Sequence, residues 1–302
     1  MGPTGIGKTD LAFQLYDSAD IEIIGVDSVQ VYKHLNIGSG KPNKEVLKKY
    51  PHKLIDIIEP YESYSTGKFQ KDCLREIKRI DSSNKTPLLV GGTMLYFKNL
   101  FYGLSKLPES TKDIRDEVEM ECKKKGLEEM YEYLIKIDPI SANNIHSNDS
   151  QRIKRAIEVY RLTDKPLSLW LQESYTEVHE DIKPFNVLQF AIKPKDKELH
   201  REKIALRFQD MIDKGLIKEV EEILNVKQMN ADKASMKTVG YKQVSDYLNG
   251  DLSFDEMIVR AVIATRQLAK RQMTWLRSWN KIIWLEEGSA SNLEVILGHI
   301  NK

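Results

Sequence analysis

The stretch GPTGIGKT, Gly2 to Thr9, constrains this chain more than any other. It is the pattern G-x-x-x-x-G-K-[ST]. Its successive backbone N–H groups, from Gly5 to Thr9, curl around an anion and run into a helix N-terminus. In such a loop the lysine, here Lys8, sits on phosphate oxygens, and the hydroxyl, here Thr9, offers itself to Mg²⁺. Gly2, Pro3, Thr4, Gly5, Ile6, Gly7, Lys8 and Thr9 are therefore candidate phosphate-binding residues. Loops of this kind normally leave a buried strand, yet only Met1 stands ahead of this one. Two readings follow: the sequence begins inside a longer chain, or the sheet lacks its central strand.

What comes next alternates. KTDLAFQLYD has helical spacing, and IEIIGVD (Ile21–Asp27) is a short apolar run of the kind found in buried parallel strands. KLIDII (Lys53–Ile58) reads the same way. Ser65 is placed to cap a helix whose inward positions are Phe69, Leu74, Ile77 and Ile80. TPLLVGGT (Thr86–Thr93) is a further buried strand ending in a glycine turn. This rhythm predicts a doubly wound parallel α/β sheet. From about Ser105 to Lys183 the patterns are helical only, including DIRDEVEMECKKKGLEEMYEYLIKI and SQRIKRAIEVYRLT. NVLQFAIKP (Asn186–Pro194) then restores a strand, and IIWL (Ile282–Leu285) adds a last one. The expected architecture is a P-loop core (1–104 and 186–302) interrupted by an all-helical insert (105–185).

Composition narrows the class. No stretch approaches ~20 uninterrupted apolar residues, so no membrane span is expected. Lys8 and Asp10 precede any apolar run, which does not fit a secretory signal. Cys73 and Cys122 stand alone and far apart, suiting neither a zinc site nor a disulfide scaffold. A cytoplasmic, monomeric protein is the expectation. The formal net charge is +1, but Arg260–Lys281 holds six Lys/Arg and no acid, and QRIKR (Gln151–Arg155) is a second basic cluster. A near-neutral total thus conceals basic faces of the kind that meet nucleic acid.

The chemistry around the loop is not that of an ordinary phosphoryl-transfer enzyme. DSVQVY (Asp27–Tyr32), IGSGKP (Ile37–Pro42) and GGTMLY (Gly91–Tyr96) all fall near carboxyl ends of predicted strands, where open α/β sheets bind ligands. No apolar run ends in the paired acids of an ATPase strand. GPTGIGKTDLA, DSVQVYKHLNIGSGKP, PHKLIDI, PLLVGGTMLYFK, DPISANNIHSNDSQRIKRAIEVY, KTVGYKQ and ATRQLAKRQMTWLR occur in that order. Together, from Gly2 to about Leu285, they resemble the bacterial tRNA dimethylallyltransferase family. Two departures are visible. The strand usual before the loop is absent, and Ile6 replaces a small residue, commonly serine. Neither removes a backbone donor. The cysteine count leaves no room for the zinc finger of eukaryotic members.

The resemblance implies that the loop holds dimethylallyl diphosphate with Mg²⁺, and that the allyl group moves to N6 of the adenosine beside the tRNA anticodon. It implies that Asp27 takes the proton from the amine; on residues alone, Asp27 also reads as a metal-binding or loop-stabilising aspartate. Thr93 is implied to touch substrate, though it equally fits a helix N-cap. Arg207 is implied to bind diphosphate, where a lone helical arginine otherwise reads as a solvated charge. The family's tRNA contacts fall on Asp27, Ser28, Val29, Gln30, Thr93, Arg115, Gln151, Arg152, Ile153, Lys154 and Arg155. They continue at Lys237, Thr238, Val239, Gly240, Tyr241 and Lys242, with Tyr241 a possible stacking surface. Arg266, Lys270 and Arg277 would line one helix face toward RNA, with Leu268, Trp275 and Trp279 facing the core. Three rivals remain: an isopentenyltransferase acting on free AMP, ADP or ATP, a small-molecule kinase, and a non-catalytic RNA-binding module.

Overall fold

The apolar spacing after the loop folds as read. Helix α1 (Lys8–Ser18) is entered through Gly7, whose φ of 86° lies in the left-handed region. The computed structural model describes residues 1–103, 107–108, 110–173 and 177–300. After α1 come β1 (Ile21–Val26), α2 (Lys44–Lys49), β2 (His52–Lys53), α3 (Thr66–Asp81), β3 (Thr86–Gly91) and α4 (Met94–Tyr102). A helical run follows: α5 (Lys112–Lys125), α6 (Leu127–Ile137), α7 (Pro139–Asn144), α8 (Ser150–Thr163) and α9 (Leu167–Glu173). The chain continues through β4 (Phe190–Lys193), α10 (Lys197–Asp213), α11 (Leu216–Leu224), α12 (Tyr241–Leu248), α13 (Phe254–Arg277), β5 (Ile283–Glu286) and α14 (Asn292–Ile300). No helix among the described residues is long and apolar enough to cross a membrane.

Two compact units result, Met1–Lys98 with Phe185–Lys302, and Asn99–Pro184. The division falls inside α4, where MLYFKNLFY is one unbroken helical pattern with no boundary signal in the sequence. The smaller unit has a core of its own around Val118, Leu134, Ile153 and Ile157. Its longest helical pattern breaks at Gly126, where the φ of 87° separates α5 from α6.

The larger unit is mixed α/β with parallel pairing throughout. β1 lies between β2 and β3, and β3 follows it in register from Ile21↔Thr86 to Val26↔Gly91. β4 pairs parallel with β5 in a second, two-stranded sheet. The expected single sheet is thus divided. Met1 stands at the division: its N–H donates to Phe190 O at 2.8 Å, and Ile192 N–H donates to its carbonyl at 3.0 Å. Gly2 then passes between Ile192 and Gly92. Among the described residues the outer edge of β3 is unpaired, and Leu88, Leu89 and Val90 are half-buried rather than fully buried. A core joining Ile6, Leu15 and Ile21 to Ile192, Leu285 and Ile296 bridges the two sheets. Each large apolar side chain so buried contributes ~1.5–3 kcal/mol.

KLIDII does not form the predicted strand. Only His52–Lys53 pairs with β1, because Leu54 and Asp56 take left-handed backbone at φ 61° and 55°. Ile58 returns to a single bridge with Tyr32. Helix α3 forms as expected: the Ser65 hydroxyl accepts the Lys68 N–H, and Phe69, Leu74, Ile77 and Ile80 are buried.

Candidate active site

Thr4 gives its N–H to Oε1 of Gln272 at 2.9 Å. From Gly5 to Thr9, by contrast, no backbone N–H meets a protein acceptor among the described residues. Five successive donors therefore face a cleft of about 480 Å³ whose walls include Lys8, Phe13, Gly40, Lys203 and Arg207. Such a concentration of unpaired donors at a helix N-terminus suits an anion. Lys8 donates to Pro3 O at 2.7 Å. Burial pushes its ammonium down to about 8, Asp27 pulls it back up, and Arg207 pushes it further down. Burial also lowers Arg207, with Asp27 and Asp210 opposing. Two cations held close together without a full set of partners are destabilising by themselves, and an oxyanion between them relieves the repulsion. Arg207 thus lines the same cleft as the loop. Gly40 is needed beside it: a Cβ there would lie 1.9 Å from Nη2 of Arg207.

Asp27 follows β1, and its Oδ1 accepts the N–H groups of Val29 at 2.8 Å and Gln30 at 3.2 Å. Its Oδ2 accepts none among the described residues. Thr93 follows β3 directly beside it. Among the described residues the Thr93 hydroxyl takes no N–H of α4; it accepts the Ser28 N–H at 3.1 Å, fastening the Asp27 turn to the glycine turn. Gln30 reaches across to Ser39 O at 3.3 Å. The loop, Lys8, Arg207, Asp27 and Thr93 thus belong to one constellation in the larger unit. The Thr9 hydroxyl has no protein partner among the described residues and opens on the cleft. It therefore fits a Mg²⁺ ligand role. No cluster of three His, Cys, Asp or Glu forms a metal cage among the described residues.

Sequence reasoning missed several residues. His200 and Lys203 are two of them; they lie on one face of α10 with Arg207, which the sequence had already singled out, at i, i+3 and i+7, a spacing visible in HREKIALR. Nε2 of His200 hydrogen-bonds Thr4 O at 3.0 Å. Glu219 acts on a different loop. It accepts the N–H groups of Asn36, Ile37 and Gly38 and holds the segment that presents Gly40. Gln272 and Glu219 carried no sequence signal, since each looks like one polar residue on a helix.

The candidate tRNA residues divide by exposure. In the smaller unit, Gln151 and Arg152 are exposed, and Arg152 pairs with Asp149 at 3.3 Å. Lys154 pairs with Glu119 at 2.6 Å, and Arg155 donates to Pro108 O at 2.8 Å. Arg115 donates to Ser110 O at 2.7 Å. Ile153 is fully buried in the unit's core, so its side chain is no RNA contact. In the larger unit Lys237 and Lys242 are exposed, with weak pairs to Asp232 and Asp246. Thr238 donates to Ser235 O, and Val239 is half-buried. Tyr241 is not a stacking surface: it is wholly buried, with its hydroxyl on Glu219. On α13, Lys270 and Arg277 are exposed, whereas Arg266 is half-buried with Nη2 on Arg201 O at 3.2 Å. Trp275 faces outward under Lys98 at 5.6 Å rather than into the core, while Leu268 and Trp279 are half-buried.

A glycine loop with open N–H donors, two cations and a carboxylate turn come together at strand ends of an α/β unit that is followed by an all-helical second unit, the arrangement of an α/β enzyme that takes an anionic substrate. The chain belongs to the IPP transferase family, whose profile matches residues 30–279. The loop and Asp27 precede that span and rest on the geometry above. Among solved structures, the chain is similar to the tRNA isopentenylpyrophosphate transferase of Bacillus halodurans. Identity is 30% over 99% of this chain and 93% of that one, with a TM-score of 0.71. The tRNA delta(2)-isopentenylpyrophosphate transferase of Staphylococcus epidermidis is 31% identical over 100% and 97%, with a TM-score of 0.69. A eukaryotic dimethylallyltransferase acting on tRNA is 26% identical over 99% and 76%, with a TM-score of 0.77.

Proposed function

We propose that this chain moves the dimethylallyl group of dimethylallyl diphosphate to N6 of the adenosine beside a tRNA anticodon. The observation that carries the reading is the open run of loop N–H groups with Lys8 and Arg207, set beside a carboxylate with one unengaged oxygen. The C–O bond to diphosphate breaks and its electron pair leaves on the diphosphate oxygen. The loop amides, Lys8 and Arg207 stabilise that developing charge. The N6 lone pair forms the new N–C bond. Its proton goes to Oδ2 of Asp27, a transfer of the kind that contributes ~10²–10⁴-fold. Thr9 would hold Mg²⁺, which would supply further charge neutralisation when bound. Thr93 keeps the Asp27 turn in place.

The acceptor base is flipped from its stack to reach the allyl carbon. In this reading the backbone of Asp27–Gln30, and Thr93, meet the target nucleotide. Arg115, Gln151, Arg152, Lys154 and Arg155 in the helical unit, and Lys237, Thr238, Val239 and Lys242 in the larger one, meet RNA. The enzyme acts as a cytoplasmic monomer. The test is labelled dimethylallyl diphosphate incubated with unmodified tRNA, with AMP, ADP or ATP, and with no acceptor. Label in tRNA alone is expected. Label in a free nucleotide would instead support the nucleotide-directed rival, and phosphate transfer from ATP the kinase. RNA binding indifferent to Lys8 and Asp27 would support a binding module.

A further inference from the structure

Gln272 is buried on α13, in a stretch otherwise notable for its cations. Its carboxamide is engaged at both ends. Oε1 accepts the Thr4 N–H at 2.9 Å, and Nε2 donates to Gly92 O at 2.8 Å. Flipping the amide would oppose N–H to N–H and oxygen to oxygen, so the two partners fix its orientation. These partners are not incidental. Thr4 directly precedes the run of open N–H donors. Gly92 directly precedes Thr93, whose hydroxyl holds Ser28 and thereby the Asp27 turn. A continuous path therefore runs from the phosphate loop through Gln272 to the carboxylate. Among the described residues no paired strand between β3 and β4 sets that separation along most of its length.

We infer that Gln272 is a positioning residue, whose side-chain amide sets the register between the diphosphate loop and the Asp27–Thr93 turn. This rests on the proposed prenyl transfer. Leaving group and attacking amine must be in line, and a misplacement of about 1 Å costs roughly 10²-fold. The alternative is that Gln272 only fills space under α13.

Gln272→Met separates the two, because it keeps length and volume and loses both hydrogen bonds. Its single-turnover rate at saturating substrates should fall ~10–100-fold, with tRNA affinity unchanged and inorganic pyrophosphate affinity within a few-fold of wild type. Gln272→Glu supplies a pH readout. Ionised, the introduced carboxylate faces Gly92 O with no proton to donate. Protonated, it copies the amide at both ends. Its rate relative to wild type should rise as pH falls through roughly 7 to 5.5, since burial raises a carboxyl pKa. A Met variant keeping more than half the rate overturns the inference, as does a Glu-to-wild-type ratio flat with pH. So does a loss confined to KM for dimethylallyl diphosphate. Amide hydrogen exchange at Thr4 reads the clamp independently of turnover. Wild type should protect this N–H and Gln272→Met should release it, and equal exchange in both overturns the inference. If wild type fails to prenylate tRNA while Thr4 protection is lost in the variant, the proposed function fails and the clamp stands.

Discussion

The hydroxyl of Tyr241 donates to Oε1 of Glu219 at 2.7 Å, and the same carboxylate accepts the Ile37 N–H at 2.8 Å. This pair ties α11 and α12 to the loop that sets Gly40 against Arg207. Tyr241→Phe should lower stability by about 1.5–3 kcal/mol, the range for a hydrogen bond to a charged group. Glu219→Ala should cost more and raise KM for dimethylallyl diphosphate, since three N–H groups and a phenol lose their acceptor. Denaturant midpoints and steady-state kinetics measure both. An unshifted midpoint for the phenylalanine variant would remove Tyr241 from the scaffold.

Asp27→Asn keeps the oxygen that accepts from Val29 and Gln30 and removes the charge and the basic oxygen. Single-turnover prenyl transfer should drop ~10²–10⁴-fold, with tRNA affinity nearly unchanged. A rate above half of wild type would exclude a general base at this position.

Lys8 gives a pH signature of known sign. Its pKa falls from 10.5 to about 8 in the fold. Below about 8 it is charged in folded and unfolded chains alike, and its burial opposes folding in full. Between about 8 and 10.5 the unfolded chain binds more proton, so stability rises with pH there. The stability deficit of wild type relative to Lys8→Met should therefore narrow across that window. Pyrophosphate bound beside the ammonium should raise the Lys8 pKa. At pH 8.5, above the lowered pKa, its binding should therefore take up more proton in wild type than in Lys8→Met. Calorimetry in buffers of different ionisation enthalpy reads the difference; equal uptake would place the ammonium away from the anion.

Arg152 is the freest cation of its cluster, whereas Lys154 and Arg155 also hold their own unit together. Arg152→Ala should weaken tRNA binding without changing pyrophosphate binding. Each lost phosphate contact should reduce the log–log salt slope by ~0.7–0.9. A binding series in salt checks this, and an unchanged slope would move the RNA surface elsewhere, with the outward face of α13 next in line.

The unpaired edge of β3 makes a prediction about added chain. A segment of ~5 β-branched residues placed ahead of Met1 would run back between β3 and β4, because Gly2 already lies between Ile192 and Gly92. Covering Leu88 and Val90 should raise the melting temperature, at ~1.5–3 kcal/mol per large side chain buried. An extended chain melting no higher would show that the sheet closes without it.

Much of the fold was legible where the signal is local. The loop–helix junction at Lys8, the Ser65 cap and the apolar runs of β1 and β4 each depend on residues within a few positions of one another. KLIDII misled because its composition suits a strand while Leu54 and Asp56 turn left-handed, with Asp56 taking Lys41 at 2.5 Å. Tyr241 misled for a related reason, since an aromatic next to lysines looks the same whether it faces RNA or a buried carboxylate.

A phosphate loop, a parallel α/β core and a helical insert are written along the chain, because spacing, capping and glycine placement act between near neighbours. Which polar side chains turn inward, and what they hold, emerged from packing alone. Gln272 and Thr4 are 268 positions apart, and Glu219 and Ile37 are 182 apart. A buried hydrogen bond is worth making only when its partner arrives, and that arrival is a property of the packed chain.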